Sequence, residues 1–106
     1  MSRAKGDLAE TRAAEYLRTQ GFEIIERNYH SRFGEIDIVA FKAQTLHFVE
    51  VKSGAGDPIE RITPQKLSRI LKTVQIYLAH RRYAGDYCID AMSVGDTIDL
   101  IENITL

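Results

Sequence analysis

Two short runs constrain this chain more than any other feature: Glu35-Ile36-Asp37-Ile38-Val39-Ala40-Phe41 and Leu46-His47-Phe48-Val49-Glu50-Val51-Lys52. Both have strand length, and Lys42-Ala43-Gln44-Thr45 between them suits a hairpin connection. Strand side chains alternate faces, so Glu35, Asp37 and Val39 point one way, and Ile36 and Ile38 the other. Glu50 and Lys52 likewise share a face, opposite Val49 and Val51. Pairing Phe41 with Leu46 across the connection sets Val39 against Phe48, Asp37 against Glu50 and Glu35 against Lys52. Directly opposed Cβ atoms lie about 4.5–5.5 Å apart, and like charges so placed destabilise a sheet. A divalent cation converts that repulsion into binding. An oxygen-only ligand pair suits Mg²⁺ or Mn²⁺, with Lys52 adding positive charge beside the ion. The competing reading is a solvated strand face, in which Glu35 and Lys52 form a surface ion pair worth little. A register slip of one residue would put Asp37 and Glu50 on opposite faces.

Around this hairpin the pattern reads helix, strands, helix, strands. Ser2 to Gln20 suits a helix, with Leu8, Ala9, Ala13, Tyr16 and Leu17 at helical spacing and Gly21 at its C-terminal end. Phe22 to Arg27 reads as a first strand, and Asn28 to Arg32 as a turn or irregular entry to the next. Ser53-Gly54-Ala55-Gly56-Asp57-Pro58 reads as a mobile loop able to close over substrate. In the second helix Thr63 caps, Pro64 takes the first position, and Leu67, Ile70, Leu71, Val74 and Leu78 form one apolar stripe. His80, Arg81 and Arg82 close its last turn, where positive charge complements the helix dipole. Tyr87–Val94 and Thr97–Leu106 then read as strands joined by a turn at Gly95-Asp96, with Ile98, Leu100, Ile104 and Leu106 on one face. The expected architecture is α/β: a mixed β-sheet with flanking helices, in a single compact domain over residues 1–106.

The composition fits one small globular domain of 106 residues, 44% hydrophobic and 27% charged. With 14 Lys+Arg against 15 Asp+Glu, the net charge of −1 predicts neither a nucleic-acid nor a membrane partner. The local distribution differs. No acidic residue occurs from Arg61 to Gly85, where Arg61, Lys66, Arg69, Lys72, Arg81 and Arg82 are basic. Arg61, Lys66, Arg69 and Lys72 are the candidate nucleic-acid contacts, provided they stand beside the carboxylates rather than on a remote solvated face. A lone cysteine, Cys88, excludes an internal disulfide and a cysteine-based metal cluster, and reads as a small core residue. His30 and His47 share no ligand-like spacing with it, which argues against zinc. No apolar run approaches the roughly 20 residues that span a bilayer, and the charged N-terminus leads into no signal core. A cytoplasmic protein without an organic cofactor is the expectation.

The strand motifs Gly34-Glu35-Ile36-Asp37-Ile38-Val39-Ala40 and Phe48-Val49-Glu50-Val51-Lys52 together resemble the PD-(D/E)xK nuclease signature. More narrowly the chain is similar to the bacterial YraN-like family, with weaker likeness at Gly6–Glu10, Gly21-Phe22, Arg27-Asn28, Lys66 and Ile89-Asp90. That resemblance, which extends to Holliday junction resolvases and restriction endonucleases, implies a restriction endonuclease-like core and metal-dependent hydrolysis of DNA, structured or branched forms included. It implies that Asp37 and Glu50 bind metal, that Lys52 is catalytic, and that Glu10 on the first helix completes the acidic site. The plain alternative for Glu10 is an exposed helical residue paired with Lys5 or Arg3. Related resolvases are dimers, and the last strand offers an edge through which a homodimer or a protein partner would pair. Two departures stand out: Ser53-Gly54 follows the lysine motif, and Cys88-Ile89-Asp90 replaces the family's Arg-Phe-Asp. Both remove expected substrate contacts and favour, as the alternative, a non-catalytic nucleic-acid-binding or protein-interaction module.

Overall fold

The computed structural model describes residues 3–105, with side chains from residue 7 onward. Among them the chain runs α1 (Arg3–Thr19), β1 (Glu23–His30), β2 (Glu35–Lys42), β3 (Thr45–Ser53), a 3-10 turn (Ile59–Arg61), α2 (Pro64–Arg81), β4 (Asp86–Val94) and β5 (Ile98–Ile101). The strands lie in sequence order in one sheet. All neighbours are antiparallel except β3 and β4, which run parallel because α2 carries the chain back between them. This is the mixed α/β sheet expected from the sequence, formed as a single compact domain.

Each helix covers its own apolar cluster. Ala9, Ala13, Ala14 and Leu17 of α1 pack on Phe22, Ile38, Ala40, Val49 and Met92. Ile70, Val74 and Tyr77 of α2 pack on Val39, Phe48 and Ile89. Helix α1 closes in a Schellman motif: the Phe22 N–H donates to the Leu17 carbonyl and the Gly21 N–H to that of Arg18. The motif needs a left-handed residue, and Gly21 supplies it at φ 91°. Helix α2 begins as expected, with Thr63 accepting from the Lys66 N–H and Pro64 at the first position.

Several local expectations are corrected. Leu8 is 61% exposed and lies off the buried stripe of α1. Leu71 is also exposed, and Thr73 and Tyr77 take the buried positions of α2 instead. A threonine is tolerated there because its hydroxyl donates to the Arg69 carbonyl and meets the Ser31 hydroxyl. Asn28–His30 continue β1 past a bulge between Ile24 and Glu26 rather than forming a turn. The segment Ser53–Pro58 is anchored, not free: the Gly54 N–H donates to the Val94 carbonyl and the Ser93 hydroxyl to that of Gly56. The last strand is shorter than expected. Asn103 adopts φ 58°, after which Ile104 leaves the face of Ile98 and Leu100 and packs on the α2 side; Leu106 lies outside the described residues.

Near its turn the central hairpin has the expected register, with a tighter turn, but the expected pairs Asp37–Glu50 and Glu35–Lys52 lie beyond the ladder and do not form. Phe41 pairs with Leu46 and Val39 with Phe48, but Lys42 also pairs with Thr45. Only Ala43 and Gln44 remain in the loop, both left-handed at φ 51° and 63°, the conformation of a type I′ turn. The Cα pairing runs as far as Ile38 and Val49. Beyond it Ile36 joins the α2 cluster although Ile38 joins the α1 cluster, so strict alternation breaks at Asp37.

Candidate active-site cleft

The place where β2 departs from the ladder is where the carboxylates collect. Asp37 replaces a lost backbone pairing with its side chain: Oδ2 accepts the Val51 N–H at 2.7 Å. Beside it a cleft of about 460 Å³ is lined by Glu35, Asp37 and Glu50 from the sheet and by Lys66 and Arg69 from α2. Glu50, in the centre of β3, is only 5% exposed. Its Oε2 lies 2.6 Å from Lys66 Nζ and 3.6 Å from Lys52 Nζ. An isolated buried carboxylate would be costly, and the two ammonium groups offset that cost.

Burial and the adjacent charge of Glu50 push the Asp37 carboxyl up to about 8, against an ordinary value of 3.8. Burial, with Lys66 as its neighbour, lowers the Lys52 ammonium below its usual range. Burial also pulls on Lys66, but its bond to Glu50 prevails and raises it. The two lysines are therefore pushed apart: Lys66 stays the charged partner of Glu50, and Lys52 is the one that gives up a proton more readily.

Glu10 reaches the same region from α1 and is buried. One carboxylate oxygen from each of Glu10, Glu35 and Asp37 lies within 4.8 Å of the others. Burial raises the Glu10 carboxyl above its usual range, against the lowering effect of its bond to Asn28. Arg27 stands behind it, Nη2 being 3.8 Å from Oε1; Lys5 and Arg3, the alternative partners, have side chains outside those described. An all-oxygen set of this kind fits a hard divalent cation such as Mg²⁺ or Mn²⁺. Glu10 and Asp37 are thus together as expected, Glu50 is adjacent through Asp37, and Glu35 joins the group. The expected contact of Glu35 with Lys52 is replaced by His30, whose Nε2 lies 3.0 Å from Glu35 Oε1.

Asn28 is the site residue that the sequence pattern did not single out. Its Nδ2 donates to Glu10 Oε1 at 2.7 Å and to Glu35 Oε2 at 2.9 Å, bridging the two acids. It does so from inside β1 at φ 56°, a left-handed conformation that asparagine tolerates better than most residues. A polar asparagine breaking an otherwise strand-like run was the available signal. The basic candidates separate into two groups. Lys66 and Arg69 line the cleft. Arg61 stands on the 3-10 turn, where a β-carbon on Gly54 would lie 3.7 Å from Nη1. Lys72 places Nζ 5.2 Å from the ring centre of Phe33, itself part of the cleft wall.

Fold and cleft together define a small α/β protein with buried carboxylates and lysines gathered where two strands of a mixed sheet diverge. The chain belongs to the family described as Uncharacterised protein family UPF0102, whose model matches residues 9–101. It is 53% identical over 105 residues to a UPF0102 protein of Helicobacter pylori strain HPAG1, covering 97% of this chain and 92% of the relative. It is also 53% identical over 108 residues to a UPF0102 protein of Wolinella succinogenes, at full coverage of both chains. A Helicobacter hepaticus relative is 48% identical over 107 residues, covering 99% and 97%. Among the described residues no helix is long and apolar enough to cross a membrane.

Proposed function

We propose that this protein is a metal-dependent nuclease of the PD-(D/E)xK type, with a restriction endonuclease-like core similar to that of resolvases, hydrolysing phosphodiester bonds of DNA in the cytoplasm. The observation that carries this reading is the meeting of Asp37 and Glu50 in one cleft, with Lys52 Nζ 3.6 Å from Glu50 Oε2 and Glu10 arriving from a different element. Mg²⁺ or Mn²⁺ held by Asp37 with Glu50 and Glu10 would supply Lewis-acid activation of water and of the phosphate. The remaining work falls to the chain. Lys52, with its depressed proton affinity, orients the attacking water and accepts or returns a proton near Glu50. Lys66 neutralises Glu50 when the site carries no cation and is freed to meet a phosphate when one arrives. Arg69, Arg61 and Lys72 hold neighbouring phosphates, which positions the scissile bond without reading bases.

One observation favours the alternative, a module that binds nucleic acid without turnover. The 2.6 Å contact of Lys66 with Glu50 occupies a carboxylate the metal would need. Incubation of linear and branched DNA with Mg²⁺ or Mn²⁺ separates the two. The nuclease reading expects cleavage that Asp37→Ala abolishes and that Lys52→Ala slows by about 10²–10³-fold, the cost of losing one charge-stabilising donor. DNA bound but left intact by wild type, with either metal, would establish the binding module instead.

A further inference from the structure

A second cluster lies at the other end of β3, away from the carboxylate cleft. The parallel register of β3 and β4 sets His47 opposite Cys88, and Asp90, two residues on, projects to the same face. His47 Nδ1 is 2.7 Å from Asp90 Oδ2, and Cys88 Sγ is 3.2 Å from that nitrogen and 3.3 Å from Asp90 Oδ1. Glu102, just past β5, brings Oε1 to 3.9 Å from the same Nδ1. One nitrogen, one sulfur and one carboxylate oxygen therefore lie within 4.8 Å of one another, with Glu102 beside them.

We propose that His47, Cys88 and Asp90, with Glu102 at the rim, form a metal site for a borderline-soft divalent cation such as Zn²⁺.

Three features carry this assignment. The donor set is right, because imidazole, thiolate and carboxylate are the ligands zinc takes, whereas Mg²⁺ prefers oxygen alone. The spacing is right as well. Zinc bonds of about 2.0–2.3 Å in a tetrahedron put ligand atoms roughly 3.3–3.7 Å apart, so the observed 2.7–3.3 Å separations need to open by less than an ångström. Access is open: a cavity of about 620 Å³ lined by His47, Cys88 and Glu102 leads from solvent to the cluster. A Ser-His-Asp-like nucleophilic triad is excluded by the geometry, since Cys88 and Asp90 both address Nδ1 rather than opposite ring nitrogens.

The surroundings prepare the site. Asp90 is fully buried, with Oδ1 fixed by the Asn103 N–H at 3.0 Å and Oδ2 left to His47. Phe22 packs edge-on against the His47 ring at 4.9 Å and holds its orientation. Lys42, the cation on the cavity wall, sits over the Phe22 ring at 4.9 Å from its centre. Without a metal, the Cys88 thiol donates its proton to Asp90 Oδ1 at 3.3 Å. Zinc would replace that proton by a sulfur–metal bond, with the proton leaving to solvent and no change of oxidation state.

Titration of the full chain with Zn²⁺ in excess Mg²⁺, and with Co²⁺ as an absorbing substitute, tests the site. Equimolar Zn²⁺ binding is expected, unchanged when Asp37→Asn and Glu50→Gln remove the acidic cleft. The wild-type cobalt form should show thiolate-to-metal charge-transfer absorption in the near ultraviolet. Cys88→Ala, a mild change on a half-buried strand position, should abolish that absorption and weaken Zn²⁺ by more than the roughly 10–100-fold lost with an outer-sphere partner. Cobalt binding without the charge-transfer band, or Zn²⁺ affinity equal in wild type and the Cys88 variant, would overturn the assignment. Because the charge-transfer band is read on wild type, it tests the thiolate ligand even if the variant fails to fold.

Discussion

At the scale of single residues, Asp37 and Asn28 set the behaviour of the cleft. A carboxyl whose folded pKa lies above its unfolded one binds its proton more tightly when folded. Its stabilising contribution is complete below the unfolded value and is lost as pH rises through the folded one. For Asp37 those limits are 3.8 and about 8. The thermal midpoint of the metal-free protein should therefore fall from about pH 4 to about pH 8, with Asp37→Asn flattening the profile. Mn²⁺ should restore the midpoint on the alkaline side; a variant as pH-sensitive as wild type would refute the role given to Asp37. Asn28 makes a different prediction. Asn28→Gly keeps the left-handed backbone at φ 56° but loses the bridge between Glu10 and Glu35. Mn²⁺ binding should weaken by about 10–100-fold, as when an outer partner of a metal ligand is removed, while the melting midpoint moves little. Equal metal affinity in calorimetry would show that the bridge is structural only.

At the scale of elements, the segment after β3 is held by contact between backbones. A β-carbon on Gly95 would lie 3.1 Å from the Gly54 carbon and 3.1 Å from the Ala55 nitrogen, closer than ordinary packing permits. The Gly95 carbonyl also accepts from Arg12 of α1, which ties this turn to the first helix. Gly95→Ala should cost about 1–3 kcal/mol, the usual penalty for overpacking, read from urea unfolding. Since Ser53–Pro58 leads directly into the 3-10 turn that carries Arg61, the same change should weaken DNA binding beyond its effect on stability. A variant with wild-type stability would mean that the two backbones separate at little cost.

At the scale of the whole molecule, charge placement outweighs charge balance. The chain carries a net −1, yet α2 turns Lys66 and Arg69 toward the cleft and keeps Lys72 against its Phe33 wall. Binding of a short DNA duplex should fall with rising salt, by about 0.9 in log–log slope for each phosphate neutralised. Arg61→Gln combined with Arg69→Gln should make the slope shallower by about 1.8, measured by fluorescence anisotropy. An unchanged slope would assign these arginines to solubility rather than to DNA.

What the sequence determined alone was local. The short connection between Phe41 and Leu46 specified the hairpin register from the turn to Val39–Phe48, because turn type and loop length fix which residues pair. The Thr63–Pro64 start of α2 and the Gly21 end of α1 were likewise legible, being matters of neighbouring backbone groups. Tertiary structure decided everything that depends on residues far apart in the chain meeting. The exposure of Leu8 and Leu71 followed from how each helix is rotated against the sheet, which helical spacing leaves free. The bridge from Asn28 to Glu10 and Glu35 required α1 to pack beside a distorted β1. The meeting of His47 with Cys88 and Asp90 required the parallel β3–β4 register, set by the crossover through α2 rather than by any turn. Hairpin geometry propagates along the chain and can be counted; crossover packing is a balance of buried surfaces, and only the folded molecule resolves it.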